Sequence, residues 1–475
     1  MVDKQESRIV PIKFGTDGWR AIISDAYTID NLRRVAEGTA KWMVQRSYQK
    51  LVIGHDCRFG GEMFMREAAR IFAHHGIQVF AGDCIVSTPM VSLAVLHHHA
   101  DLGVVITASH NPPLYNGYKL KSSHGSPSLP MDIEEIEALI PDFAAEPKHS
   151  FSSYLDDGKI KLVDIQSPYE HHVREGFHLN AIRSSVSLAY DAMYGAGQFV
   201  MEKLFPEMKG FHCDWNPGFH GRAPEPIAKN LGEIIEWNKS FPGKYIGIAT
   251  DGDADRIAMV DPFGKMIDSH HILLLLLYYL AGIKGQKGKI VVSCSVTNKL
   301  AKLAAHYGLE FITTKIGFKY IAEYIIEGDV LVGGEESGGL AIAGHIPERD
   351  GIWIGLTVLQ LMAETKKSLA ELIEEIYSIV GAFVYDRIDL HLNSSEISRI
   401  AKYLSQPNIE KWGSYKVIKK EQLDGEKYYF ENDSWLMFRR SGTEPVLRIY
   451  IQGQDSEELK SIQNAVLQEL QLNQS

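Results

Sequence analysis

With 475 residues, 45% of them hydrophobic, and a formal net charge of −11, the chain is long enough for about two to four buried cores and too acidic for nucleic acid to be its main partner. Its longest apolar run, residues 272–280, is flanked by His270, His271 and Lys284 and falls short of the roughly 18–20 residues that cross a bilayer, so no membrane partner is expected. The charged residues 1–8 lack an apolar signal segment, and Cys57, Cys84, Cys213 and Cys294 form no Cys-x-x-Cys pair, which together suggest a cytoplasmic protein with reduced thiols.

In chain order, Phe14-Gly15-Thr16-Asp17-Gly18-Trp19-Arg20 reads as a glycine-rich turn carrying an arginine. A short strand at 51–53 leads to Gly54-His55-Asp56-Cys57-Arg58, followed by a helix over 61–75 and a strand over 78–80. The apolar run 102–106 reads as a buried strand that ends in Thr107-Ala108-Ser109-His110-Asn111-Pro112-Pro113. Asn116-Gly117, just beyond, reads as a turn. Ser109 thus stands at a strand end, where α/β sheets place ligand sites, with His110 and Lys119 as candidate activators of its hydroxyl. Alternating strands and helices predict an α/β unit with a mainly parallel sheet over residues 1–150.

A second α/β unit is expected over 151–262, with a strand at 186–190 and another at 245–249 that ends in Asp251-Gly252-Asp253-Ala254-Asp255-Arg256. A third, 263–379, has strands at 290–293, 311–314 and 330–332, the last leading into Gly334-Glu335-Glu336-Ser337-Gly338-Gly339. Each unit delivers a polar loop from a strand end, as distant repeats would. The fourth unit, 380–475, reads as α+β, with strands at 435–438 and 446–451 around Arg439-Arg440-Ser441-Gly442-Thr443. Asp455 and Glu458 then have the spacing of a helix-capping pair.

Asp251, Asp253 and Asp255 offer oxygen ligands suited to a hard cation such as Mg²⁺. An EF-hand is excluded, because Arg256 and Pro262 stand where its glycine and glutamate belong. A solvated acidic turn is the competing reading. Arg439 with Ser441, Gly442 and Thr443 has the content of a phosphate cradle but not of a Walker loop. Glu335 and Ser337 could hold sugar hydroxyls, although a surface turn is the commoner meaning of such a triplet.

These loops, in this order, resemble the α-D-phosphohexomutase superfamily of phosphoglucomutases and phosphomannomutases over nearly the whole chain. The resemblance implies three similar α/β domains with mixed sheets and a smaller α+β C-terminal domain around a central cleft. It implies that Ser109 carries a phosphoryl group and ligates Mg²⁺ together with Asp251, Asp253 and Asp255. His110 and Lys119 fall at the acid/base and charge-stabilising positions, either of which could be the general base, and Arg256 orients the phosphoryl group or substrate. Glu335 and Ser337 fall at positions that hold the sugar's ring hydroxyls, His345 and Arg349 in a further substrate-contacting stretch, and Arg439, Ser441, Gly442 and Thr443 at the site of the unreacting phosphate. Arg20, Arg58 and Lys315 match less closely.

The implied reaction interconverts hexose 1-phosphate and hexose 6-phosphate through a hexose 1,6-bisphosphate, with glucose 1,6-bisphosphate as activator and a monomer or dimer as the assembly. Glu336 and Gly339 differ from the glutamine and histidine usual in the glucosamine branch, which favours glucose, with mannose or dual specificity as alternatives. A metal-dependent phosphatase and a non-catalytic sugar-phosphate-binding protein are the readings from other classes.

Overall fold

The computed structural model describes residues 10–406, 409–440 and 446–472. Its described strands form four sheets. In the first, Gln78–Gly82, Lys50–His55 and Leu102–Ile106 are parallel neighbours, and Tyr115–Ser122 returns antiparallel beside the last. The second repeats this order with Lys209–Phe211, Ser187–Asp191 and Tyr245–Thr250, then antiparallel Ile257–Val260. The third repeats it with Phe311–Thr314, Lys289–Ser293 and Val330–Gly334, then antiparallel Leu340–Ile342. The repeat suspected from the sequence is therefore one of topology. In each unit the link from the last parallel strand to its antiparallel neighbour is a polar loop, at 107–114, 251–256 and 335–339.

The parallel strands are continuous apolar runs because helices cover both of their faces. Leu51, Val52, Ile53, Val104, Val105 and Ile106 are all fully buried. One core runs through the second and third units by way of helices Ser269–Leu277 and Gly351–Thr365 and takes in Val52 and Val105 from one face of the first sheet, with Val91 of the helix Thr88–His97 beside them, while the other face of that sheet and the fourth unit have cores of their own. Edge strands extend two sheets beyond the expected boundaries at 150 and 262. Ile160–Val163 joins the first sheet, and Met266–Ile267 joins the second.

Asn116-Gly117 forms no turn. Both residues lie inside Tyr115–Ser122, paired with Ala21 and Arg20 of the strand Trp19–Ile22. The glycine is needed for close backbone approach, since a Cβ there would stand 2.4 Å from the Thr107 carbonyl oxygen and 2.8 Å from that of Trp19. The reversal comes earlier, where the amides of Asn111 and Tyr115 donate to the carbonyls of Ala108 and Pro112.

The fourth unit is a six-stranded antiparallel sheet. Its Trp435, Met437 and Tyr450 pack against Cys294 of the third unit. Lys427 Nζ donates to the Cys294 carbonyl at 2.7 Å, and Thr297 Oγ1 donates to Gln452 Oε1 at 2.6 Å. Asp455 caps helix Ser456–Glu469, but Glu458 accepts from the Gln454 amide rather than closing a capping box. No described helix is long and apolar enough to cross a membrane.

Candidate active site

The loop at 107–114 is held from beneath by an arginine. Arg58, fully buried, donates to the carbonyls of Ser109, Asn111, Pro112 and Tyr115 at 2.6–3.1 Å and pairs with Asp56 at 3.3 Å. Asp56 in turn accepts from Thr107 Oγ1 at 2.5 Å, and Thr107 Oγ1 accepts from the Ser109 amide at 2.9 Å. These bonds hold Ser109 at φ 53°, a left-handed conformation costly for a non-glycine residue and characteristic of strained functional loops. Arg58 is thus bound to the loop backbone.

The Ser109 hydroxyl donates to Asp251 Oδ2 at 2.7 Å and lies 3.3 Å from His110 Nδ1. The 251–256 loop comes this close because residue 252 is glycine, where a Cβ would sit 2.5 Å from the Ser109 carbonyl oxygen. Asp251, Asp253 and Asp255 are fully buried, with one oxygen of each inside a common span of 4.8 Å. Asp253 Oδ1 and Asp255 Oδ1 have no hydrogen-bond partner. Buried, clustered and partly unpartnered carboxylates are the donor set a divalent cation fits. Burial and the neighbouring Asp253 and Asp255 hold the Asp251 carboxyl well above its usual range. Burial also pushes Asp253 up, but Lys119 outweighs it and holds Asp253 low.

Lys119 bonds to three carboxylates at once, Asp17 at 2.8 Å, Asp253 at 2.8 Å and Asp255 at 2.7 Å. Burial lowers its affinity for a proton, but these neighbours more than offset that and hold it above the ordinary lysine value. Arg349 reaches the same group from the third unit, 2.6 Å from Asp17 and 2.7 Å from Asp255. Burial, with the cations Arg256, Arg20, Lys119 and Arg58 around it, keeps His110 well below the usual histidine range, hence neutral. Arg20 donates to Asn111 Oδ1 at 2.8 Å and approaches Asp17. The Arg256 amide donates to Asp251 Oδ1 at 3.1 Å, and its buried side-chain Nε has no partner.

The third loop touches the second, with the Ile257 amide donating to the Gly338 carbonyl at 3.1 Å. Glu335 is buried and accepts from the Gly317 amide at 2.7 Å, and Ser337 beside it is half-buried. Lys315 is exposed nearby. Arg439 pairs with Asp424 at 3.2 Å, which also accepts from the Ile316 amide, so Arg439 faces the third unit. Ser441, Gly442 and Thr443 lie outside the described residues.

His345 is not brought into this group. Its ring lies flat on Trp353 at 3.9 Å, with Nε2 bonded to Asp350 at 2.9 Å and Nδ1 to His172 at 3.1 Å. Asp350 also accepts twice from the Tyr169 hydroxyl and caps the helix Gly351–Thr365. This cluster fixes the far side of the segment that presents Arg349.

Asp17, Thr88 and the buried pair Lys121–Glu348 were not singled out from the sequence. Thr88 Oγ1 donates to Asp253 at 2.5 Å, and Lys121 lies 2.5 Å from Glu348, next to Arg349. A signal for Lys121 existed, because it shares a strand face with Lys119 two positions earlier.

Domain profiles described as phosphoglucomutase/phosphomannomutase alpha/beta/alpha domains I, II and III and C-terminal domain match residues 11–145, 167–264, 268–380 and 404–469. A phosphoglucomutase/phosphomannomutase of Thermococcus kodakarensis is 30% identical over 456 residues, covering 94% of this chain and 96% of its own. A phosphoglucosamine mutase of Methanocaldococcus jannaschii is 30% identical, covering 88% and 91%. A solved structure from Thermus thermophilus, provisionally described as a phosphomannomutase, superposes with a TM-score of 0.86 at 32% identity, covering 97% and 99%. The chain belongs to the α-D-phosphohexomutase superfamily. Its class is that of the phosphohexomutases, which are isomerases.

Proposed function

We propose that this protein interconverts hexose 1-phosphate and hexose 6-phosphate, with glucose preferred, using a phosphoryl group carried on Ser109. The observation that carries this reading is the bond from the Ser109 hydroxyl to Asp251, inside a buried group of carboxylates balanced by Lys119 and Arg349. In the forward half-reaction the Ser109 Oγ–P bond breaks and a bond forms from phosphorus to the free sugar hydroxyl, giving a hexose 1,6-bisphosphate. The other phosphate then returns to Ser109. Positioning and charge neutralisation carry such a transfer.

Lys119 spends all three of its donors on carboxylates, so it serves as a fixed cation. Proton exchange with the sugar hydroxyl falls to His110, whose Nδ1 faces the Ser109 oxygen. Asp251, Asp253 and Asp255 would hold Mg²⁺ together with a Ser109 phosphoryl oxygen. When bound, the ion would neutralise charge developing on the transferring group. Glu335 and Ser337 suit ring hydroxyls, and Arg439 with Ser441, Gly442 and Thr443 suits the phosphate at rest.

The sugar rests on the third loop. A Cβ at Gly339 would stand 2.5 Å from Arg349 Cδ, so the arginine fills the space that a larger residue would take. The relatives carry names for more than one sugar and do not choose among them. Mannose is the second candidate, because it differs from glucose only at the 2-hydroxyl.

The test is a coupled assay with Mg²⁺ and a trace of glucose 1,6-bisphosphate, comparing glucose, mannose and glucosamine 1-phosphates. Glucose should turn over fastest, and both chelation and Ser109→Ala should abolish the activity. An active Ser109→Ala protein, or phosphate released one-for-one with substrate, would replace the mutase with a different reaction.

A further inference from the structure

The serine loop is also supported from the second unit. Arg58 commits its two terminal nitrogens to the carbonyls of Ser109, Asn111, Pro112 and Tyr115. These donors lie in the guanidinium plane, so what remains to the cation is its face. That face is covered by Phe219, whose ring centre lies 4.9 Å from the guanidinium carbon. Phe219 belongs to the segment that leads from strand Lys209–Phe211 to helix Gly232–Ser240. It is fully buried and packs with Cys57 of the first unit and Ala196 of the second. Its φ is 45° and that of His220 is 47°, a left-handed backbone that costs energy in residues other than glycine. Local bonds hold this turn, since the Phe219 amide donates to the Asn216 carbonyl and the Arg222 amide to the Phe219 carbonyl, each at 3.0 Å. A strained turn is thus kept in order to set a flat ring against a buried cation.

Pro224 makes a second contact from the same segment. A Cβ at Gly252 would stand 3.0 Å from Pro224 Cγ and 2.5 Å from the Ser109 carbonyl oxygen, so the glycine is held between the two. The same carbonyl oxygen accepts from Arg58 Nη2 at 2.6 Å. Phe219 and Pro224 therefore both bear on the Ser109 peptide, each through one intervening residue. We propose that Phe219 and Pro224 are positioning residues for phosphoryl transfer, which hold the Ser109 peptide in place from the second unit. This rests on the mutase reading.

The test is a quench-flow measurement of a single transfer from phosphorylated Ser109 to glucose 1-phosphate, with Mg²⁺. Phe219→Leu keeps an apolar side chain but removes the flat face. Transfer should slow about five- to tenfold, with KM within about twofold of wild type. Phe199→Leu is the control for packing, because Phe199 joins the same cluster and has no cation over its ring among the described residues. That variant should lose a similar amount of melting temperature without slowing transfer. Pro224→Ala, a milder change, should slow transfer about two- to threefold. Both positioning variants should also speed hydrogen exchange at the Ser109 and Asn111 amides, whose bonds belong to the loop. In an active mutase, unslowed transfer in Phe219→Leu, or equal slowing in Phe199→Leu, overturns the role of this segment alone. Should Phe219→Leu fail to fold, unslowed transfer in Pro224→Ala overturns it instead. A wild-type protein that transfers nothing from Ser109 overturns the mutase itself.

Discussion

Where the first three units meet, charge is packed against charge. Asp17 and Lys119 of the first, Asp253 and Asp255 of the second and Arg349 of the third are joined by contacts of 2.6–2.8 Å. Where the third and fourth meet, the joint is centred on aromatic rings, a neutral hydrogen bond and buried Lys427, 3.8 Å over the Trp435 ring, with the ion pairs Arg387–Glu336 at 3.4 Å and Lys299–Asp433 at 3.6 Å beside them. Desolvating ions is costly, and removing one partner leaves another charge stranded, so an ionic joint works only when complete. The first joint therefore reads as reactive machinery. The second reads as a packed interface whose stability depends mainly on buried area.

Asp253→Asn should have the largest effect. It removes a carboxylate from Lys119 and from the cation site, and kcat should fall about a thousandfold or more. The loss should persist at saturating Mg²⁺, and recovery by added Mg²⁺ would mean that the residue serves metal affinity alone. Arg349→Ala comes next, leaving Asp17 and Asp255 short of a cation, with kcat/KM down about a hundredfold. Arg349→Lys should recover only part of this, because a lysine lacks the planar fork.

Much of the first joint was legible in the sequence, because its chemistry is concentrated in short runs. Asp251, Asp253 and Asp255 lie within five consecutive residues at the end of an apolar strand, and Ser109 follows another. Asp17 went unread because a lone carboxylate in a glycine-rich turn has no meaning until the fold sets it against Lys119. His345 and Arg349 were expected together in one substrate-contacting stretch, and of the two it is Arg349 that reaches the buried charge group. The stack on Trp353 depends on a helix that no local pattern links to it. Asn116-Gly117 misled for a related reason, since the dipeptide marks a close crossing of strands whose partner, Trp19–Ile22, looked like part of a turn.

Tyr169→Phe tests whether the support behind Arg349 matters. It deletes the hydroxyl that donates to both Asp350 oxygens, and it should lower kcat about three- to tenfold with KM little changed. A drop in melting temperature with kinetics intact would reduce the cluster to packing.

The smallest effect on turnover should come from Lys427→Met at the second joint. Burial lowers the Lys427 pKa to about 8. The unfolded chain keeps that proton up to about pH 10.4, so wild-type stability should rise as pH climbs from about 8 to 10 and carry the full penalty below about 8. Denaturant melts across this window should show wild type gaining up to about 3 kcal/mol relative to the methionine variant. Parallel curves would mean that the lysine is solvated at the joint.

Arg349 meets Asp17 across 332 positions of sequence. A ribosome makes Asp17, Lys119 and the three aspartates long before it makes their last cation. Domains fold largely as units during synthesis, the N-terminal one first. Between the making of Asp255 and the making of Arg349, then, the nascent protein holds an unbalanced cluster of acids, and this charge group is complete only when the third unit has emerged and docked.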